Sequence, residues 1–257
     1  MMGGVMDQFD IDASIQRLRS YDVDVVRSGN SYGDIQEPAK GAVVGEGILA
    51  FTANLSAQDR EDVLHAFLFA SLVANKKYPE ESQGKEWYLL FVEVMLSAGW
   101  VPSQKYYNDL NVSGNTVRMD QLVLEILGSV IAGLALPGTA TALMLKVAGD
   151  AVHALKKRET ALTVYERNML DHGVGGMAAG TCTEQNGEVT LALGMVRFIR
   201  ENTSTKVLFV DVESRKVKLY RGESVFRKVP SLVESNREYI RAKLGDNAKR
   251  KVEEYEI

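Results

Sequence analysis

The spacing of apolar residues is the main structural signal in the first two thirds of the chain, and it is helical. Ser56 and Asp59 resemble a capping box, and the apolar residues that follow recur every three or four positions. The run "KEWYLLFVEVMLSAG" is apolar on most sides, which predicts a buried helix that ends near Gly99. Pro137 and Gly138 interrupt a later run, because proline costs about 3 kcal/mol inside a helix. The predicted helices cover residues 12–21, 63–72, 85–99, 119–136 and 139–170, while residues 41–53 fit either a strand or a loop.

After Val174 the pattern changes to the period of two that is typical of strands. Asn186 and Gly187 separate two runs that can pair, which predicts a β-hairpin. The segment "KVLFVDVESRKVKLYRG" alternates in the same way, "SVFRKV" can add a last strand, and the residues from Pro230 onward, including "DNAKRKVEEYEI", are predicted to be helical. Helices followed by strands with short turns predict an α+β (α/β) fold with a C-terminal antiparallel sheet and a terminal helix. We expect a single domain, 1–257, mainly helical over 1–173 and mainly sheet over 174–257.

The longest uncharged stretch is "ILGSVIAGLALPGTATALML", residues 126–145. A stretch of about 20 apolar residues can cross a bilayer, but the central Pro137-Gly138 and the many small side chains favour two helices joined at "LPGT". This helical hairpin, residues 122–147, has three possible roles. It can be part of an ordinary buried core, it can insert into membranes, or it can form the wall of a pocket for an acyl chain.

Composition and charge narrow the classes of function. Of 257 residues, 46% are apolar and 25% are charged, and the net charge of -4 leaves no basic surplus for binding nucleic acid. The N-terminus has no basic region followed by an apolar run, so we expect synthesis in the cytoplasm without a signal peptide and, where export occurs, a non-classical route. One cysteine and three histidines do not favour a disulfide framework or a closed zinc site.

Cys182, in "MAAGTCTEQNG", is the residue with the most distinctive chemistry. It can be a small buried hydrophobic residue. It can also be the nucleophile of a cysteine-dependent acyltransferase or thioesterase, with His172 or His153 as the base, although no cysteine-enzyme signature surrounds it. In a third interpretation the thiol carries a fatty acyl thioester. Such a chain needs a protein pocket or a bilayer, because burying each CH2 group is worth about 0.8 kcal/mol.

The layout of the chain resembles the Erwinia virulence factor (Evf) family of bacterial proteins, which promote persistence in the insect gut. The similar features are a helical N-terminal half, a C-terminal antiparallel sheet, and a single cysteine, in "GTCT", about three quarters of the way along the chain. The resemblance implies an α/β fold and a palmitate covalently bound to Cys182. It also implies a virulence or host-interaction protein more than an enzyme.

These inferences define the predicted site. Cys182 is the expected lipid attachment point, and a palmitoyl chain released from its pocket would associate with a host or bacterial membrane. One acyl chain binds a membrane only marginally, so the basic residues at 156–158 or 249–251 are candidates for a second signal. The alternatives are the cysteine enzyme and a pore-forming or membrane-inserting toxin acting through residues 122–147. The predicted lining of the acyl pocket is Leu127, Ile131, Leu134, Leu143, Val147 and Gly180.

Overall fold

The computed structural model describes residues 11–23, 41–112, 116–134, 136–171, 175–200, 209, 211–213 and 217–255. Their helices and strands form an α+β fold, which confirms the predicted class. A short 3-10 helix, Glu81–Gln83, precedes the third helix. The helices are α1 Ile11–Ser20, α2 Ala57–Lys77, α3 Gly84–Ser97, α4 Met119–Ala132, α5 Gly138–Leu155, α6 Glu159–Asp171, α7 Pro230–Leu244 and α8 Asn247–Lys251.

Seven of the described strands form one sheet, in the order β3-β8-β6-β5-β2-β1-β9, and β4 pairs separately with β7. Neighbours in the large sheet are antiparallel, except that β2 and β5 run parallel. Three of its strands therefore come from the part of the chain that the sequence predicts to be mainly helical. The strands are β1 Gly41–Val44, β2 Gly47–Phe51, β3 Trp100–Leu110, β4 Thr116–Arg118, β5 Gly175–Gln185, β6 Glu188–Arg200, β7 Asp211–Glu213, β8 Val217–Lys228 and β9 Val252–Tyr255.

Helices cover both faces of the large sheet. On one face, called the α2 face below, α1, α2, α3 and α7 pack in a core that contains Phe51, Cys182 and Leu191. On the other, called the α4 face, α4, α5 and α6 pack in a second core that contains Ala179 and Ala192. Because side chains alternate along a strand, neighbouring residues of β5 and β6 belong to different cores. The sheet thus separates two apolar cores, one on each face.

Local sequence signals that act over a few residues are confirmed. The Ser56 hydroxyl accepts a hydrogen bond from the Asp59 N–H at 3.0 Å and caps α2. Asn186 and Gly187 have φ angles of 53° and 81°, and Gln185 pairs with Glu188, so the predicted hairpin has a two-residue turn with both central residues left-handed. None of the helices in the described ranges is long and apolar enough to span a membrane.

Two predicted elements differ in the structure, and β3 is a strand that the sequence does not predict. The long helix predicted over 139–170 is two helices, because the chain turns after Leu155 and the Arg158 N–H donates to the Leu155 carbonyl at 3.1 Å. The charged tail is only briefly helical and then forms β9, which is paired with β1. The strand β3 directly follows Gly99, which has a φ of 97° and reverses the chain after α3. β9 forms by pairing with β1, and β3 forms by pairing with β8, and in both cases the partner strand is distant in sequence.

Candidate functional site

Cys182 lies near the end of β5 and is fully buried. Its neighbours across the sheet are Phe51 in β2 and Leu191 in β6, both of which belong to the core of the α2 face. The thiol is therefore surrounded by apolar side chains between the sheet and the helical layer above it. This is the environment of a small hydrophobic residue or of a thiol whose substituent is itself apolar.

Burial also determines the reactivity of this thiol. Desolvation raises the pKa of Cys182 well above its ordinary value, the Asp59 carboxylate raises it further, and the Lys228 ammonium lowers it by less. At neutral pH the folded protein therefore holds the neutral thiol. Since the thiolate is the nucleophile, Cys182 is a poor nucleophile while the core stays closed.

Of the two histidines predicted as a base for Cys182, the structure describes His153, and its position does not support the enzyme alternative. His153 is exposed on α5, which packs on the α4 face, so the sheet separates it from the buried thiol. His172 lies outside the described residues. His65, which the sequence did not favour, is on α2, where its Nδ1 is 3.8 Å from a carboxylate oxygen of Glu61 and burial lowers its pKa. Among the described residues, no three His, Cys, Asp or Glu side chains are placed to hold a metal ion.

The predicted lining of the acyl pocket is divided between the two faces of the sheet. Leu127, Ile131 and Val147 are buried in the core of the α4 face. A Cβ atom placed on Gly180 would lie 2.8 Å from the Leu49 Cδ2, so Gly180 faces the same core as Cys182. The structure therefore does not bring the helical hairpin to the sulfur. Side chains of successive residues in β5 point to opposite faces, which the composition of the hairpin cannot reveal.

The two other predicted lining residues lie near the surface. The Leu143 side chain is 47% exposed on the outer side of α5. Leu134 is half-buried and lines an open groove of about 260 Å³ between the α4–α5 connection and the tip of the β5–β6 hairpin. This groove lies beside the end of the sheet, and its walls are partly polar. Its other lining residues are Leu136, Pro137, Thr183, Gln185, Asn186, Glu188, Thr190 and Arg227.

From Gly176 to Cys182, every position of β5 that faces the α2 core is small. Gly176, Ala178 and Gly180 precede the cysteine at alternate positions, and we call these four residues the small-residue line. At about 3.3 Å per residue the line is about 20 Å long. In this structure the ends of longer side chains fill the space above it, since a Cβ on Gly180 would lie 3.1 Å from the Leu193 Cδ1. No other described side chain of β5 on this face would obstruct an apolar chain that runs along the strand.

Polar residues border the far end of the small-residue line. A cavity of about 10 Å³ there is bounded by Phe67, Ser71 and Trp87 on the helices and by Glu46 and Arg197 beside Gly176. The Arg197 guanidinium carbon lies 4.2 Å from the centre of the Trp87 ring. A Cβ on Gly176 would be 2.9 Å from the Glu46 Oε2. The apolar surface therefore ends at Glu46 and Arg197.

A buried group of ion pairs lies near the other end of the line, and we call it the ionic cluster. The Asp62 side chain, 2% exposed on α2, accepts hydrogen bonds from the Lys228 Nζ at 2.7 Å and from the Arg237 Nε at 2.8 Å. Lys228 also donates to the Asp59 carboxylate at 2.6 Å. Burial alone would raise the pKa of Asp62, but the bonds from Arg237 and Lys228 lower it below its ordinary value. The cluster joins α2 to β8 and α7.

The sequence gives almost no indication of the ionic cluster. Asp59 and Asp62 are one helical turn apart, a spacing that is common on exposed helical faces. Their partners come from the end of β8 and from α7, more than 160 residues later in the chain. Only the burial of Asp62 distinguishes this cluster from ordinary surface charge, and burial depends on the tertiary fold.

The fold and the site describe an α+β protein with one fully buried thiol between a mixed sheet and a helical layer. No family model matches the chain, and no curated protein matches it. The solved structure of the Evf virulence factor is similar with a TM-score of 0.35 and 16% identity, covering 96% of this chain and 91% of that chain. A delta-endotoxin structure is similar with a TM-score of 0.33 and 10% identity, covering 81% of this chain and 91% of that chain. These are distant structural neighbours, and at these TM-scores we base no functional conclusion on them.

Proposed function

We propose that Cys182 carries a long-chain fatty acyl group as a thioester, and that the chain lies along the small-residue line on the α2 face. The observation that supports this most is the position of the lone thiol, fully buried at one end of a line formed by Gly176, Ala178 and Gly180. This placement differs from the pocket predicted against the helical hairpin. The buried thiol and the exposed position of His153 support a cysteine enzyme less than they support an acyl carrier.

The dimensions of the line suit a palmitoyl chain. The line is about 20 Å long at the usual rise of a strand. The hydrocarbon core of a bilayer is about 30 Å thick, so one leaflet of such chains covers about 15 Å. A chain of about 15 Å attached to the Cys182 sulfur would therefore reach past Ala178 toward Gly176 and end before the polar side chains of Glu46 and Arg197.

Burial of the acyl chain supplies free energy to rearrange the side chains that now occupy the space. Burying the fourteen CH2 groups of a palmitoyl chain is worth about 11 kcal/mol, at about 0.8 kcal/mol each. Making room requires the ends of Leu49 and Leu193 to rotate away from Gly180. The cavity at the far end of the line holds only about 10 Å³, so side chains of α2 and α3 that pack above the line must also move aside. The chain stays buried when this rearrangement costs less than the gain of about 11 kcal/mol.

The chemistry is a thioester exchange. The Cys182 sulfur bonds to the carbonyl carbon of a fatty acyl thioester donor, the bond from that carbon to the donor sulfur breaks, and the donor leaves as a thiol carrying the proton from Cys182. The acylated protein would stay in solution while the acyl chain is buried and would bind membranes when the acyl chain is released. In the wider role implied by the sequence resemblance, it would act as a bacterial virulence or host-interaction factor.

Intact mass of the purified protein, before and after neutral hydroxylamine, tests the proposal. We expect an added mass of one long acyl group that hydroxylamine removes, and we expect Cys182→Ser to lack it. Ala178→Leu, which fills the middle of the line, should shift the attached chains toward shorter lengths, while Ala142→Leu on the exposed side of α5 should not. An unmodified mass in protein purified from cells that make the acyl donor would refute the proposal.

A further inference from the structure

A fully buried thiol can be acylated or deacylated only when part of the structure around it opens. On the α4 face the sheet itself lies between Cys182 and the solvent. The opening must therefore occur on the α2 face. A chain segment hydrogen-bonded to Cys182 begins there directly after Phe51, which is paired with Cys182, and leads into the first turns of α2. We call residues 52–62 the access segment.

Hydrogen bonds to β5 hold one end of the access segment. The Thr52 N–H donates to the Cys182 carbonyl at 3.1 Å, and the Thr52 hydroxyl donates to the Thr183 hydroxyl at 3.0 Å. The Asn54 amide donates to the Glu184 carbonyl. Five residues of the segment, those at 53, 54 and 56–58, are exposed to solvent. A typical hydrogen bond contributes only about 0.5–1.5 kcal/mol net, so these few bonds hold this end of the segment weakly.

The ionic cluster holds the other end. Asp59 and Asp62 are the segment's contribution, and both bind the Lys228 ammonium, whose side chain is 8% exposed. Arg237 on α7 makes two hydrogen bonds to the Asp62 carboxylate, at 2.8 and 3.0 Å. Removing one charge from a buried group of this kind leaves its partners without compensation, so the penalty falls on the closed arrangement.

We infer that the access segment is the part of the structure that opens over Cys182, and that the ionic cluster controls how often it opens. The inference rests on the proposed acyl-thioester function for its biological purpose, but the opening itself does not depend on it. Loss of the Asp62 charge weakens the contacts of α2 with β8 and α7 and leaves the α4 face unchanged. The exposure of Cys182 should therefore increase without unfolding of the whole protein.

The rate at which a maleimide reacts with Cys182 measures this opening. The protein is first treated with hydroxylamine, and its mass is used to verify a free thiol, so that the result is independent of whether acylation occurred. For Asp62→Asn we expect at least about a hundredfold faster reaction than for the wild type in native buffer, because the lost charge destabilises the closed arrangement. We expect this rate to depend only weakly on urea at low concentration, because a local opening exposes little surface.

Asp120→Asn is the matched control. Asp120 is also a buried carboxylate, 2% exposed, and pairs with the Arg118 Nη2 at 2.6 Å, but it lies on α4 on the opposite face. We expect its maleimide rate to change only as far as its global stability changes, with the steep urea dependence of global unfolding. The inference is overturned when Asp62→Asn reacts no faster than the wild type, or when its rate has the same relation to global stability as that of Asp120→Asn. Failure of the acyl proposal is distinguished separately, by the absence of a hydroxylamine-sensitive mass.

Discussion

Replacing Gly194 with alanine tests the packing that separates the helical hairpin from Cys182. Gly194 lies in β6 on the α4 face, directly under α4. A Cβ atom at this position would be 2.7 Å from the Leu127 backbone nitrogen and 3.1 Å from the Val123 carbonyl oxygen. Both are backbone atoms of α4, so no rotation of a side chain can relieve the contact. The helix as a whole would have to move away from the sheet.

The expected cost follows from this geometry. Inserting a methyl group into a packed core usually costs about 1–3 kcal/mol, and contact with backbone places Gly194→Ala at the upper end of that range. For a chain of this size each kcal/mol lowers the melting temperature by about 2–4 °C. Urea unfolding monitored by circular dichroism should therefore give a loss of about 2–3 kcal/mol, with an unchanged dependence on urea.

Gly149→Ala is the control on the same helical layer. Gly149 lies in α5, and apart from its chain neighbours and the adjoining backbone of its own helix nothing in the described part of the chain is within 4 Å of a Cβ placed there. Alanine is preferred over glycine inside a helix by about 0.8–1 kcal/mol, so this variant should be as stable as the wild type or more stable. A Gly194→Ala protein with wild-type stability would refute the close contact of α4 with β6. It would thereby remove the reason for placing the hairpin opposite Cys182.

Three further predictions concern charges and titration. In the deacylated protein, burial raises the pKa of Cys182. The stability that the protonated thiol contributes is therefore present below the ordinary pKa of about 8.5 and is lost as the pH rises above it. Urea titrations at neutral and alkaline pH should show this loss in the wild type and not in Cys182→Ala. The pKa of Asp62 is lowered in the folded state, so the stability that its carboxylate contributes is present above about pH 3.9 and is lost as the pH falls through the folded pKa. Asp62→Asn should lower the free energy of unfolding by about 3–5 kcal/mol at neutral pH. An equally large loss in strong acid would contradict the role of the Asp62 charge in the ionic cluster. His153→Ala should change stability by less than about 0.5 kcal/mol and leave the acylated fraction, measured by intact mass, unaltered, because His153 is exposed on the far side of the sheet.

The features that the sequence predicts correctly depend on neighbouring residues. The cap at Ser56 and the turn at Asn186-Gly187 each need only the conformational preferences of a few residues. Apolar periodicity likewise predicts α3 and the start of α4 at Met119. That the chain forms a single domain stays a prediction.

The features that it missed depend on distant residues. β9 forms because Val252 and the residues after it pair with β1, and nothing in "VEEY" distinguishes this strand from the end of a helix. The hairpin at 122–147 was correctly predicted to be helical, with its arms joined near Pro137. Whether Cys182 points toward this hairpin or away from it depends on the register in which β5 pairs with β2 and β6, because successive side chains of a strand point to opposite faces.

The location of the acyl chain is the most direct test of the account. Cells that make the protein can be supplied with a long-chain fatty acid carrying a photoreactive diazirine at its far end, and the chain attached to Cys182 can be crosslinked in the folded protein. We predict that the crosslinked peptides come from α2 or α3, near Phe67 and Trp87 at the end of the small-residue line. Crosslinks confined to α4 and α5 would contradict the account and would return the acyl chain to the helical hairpin.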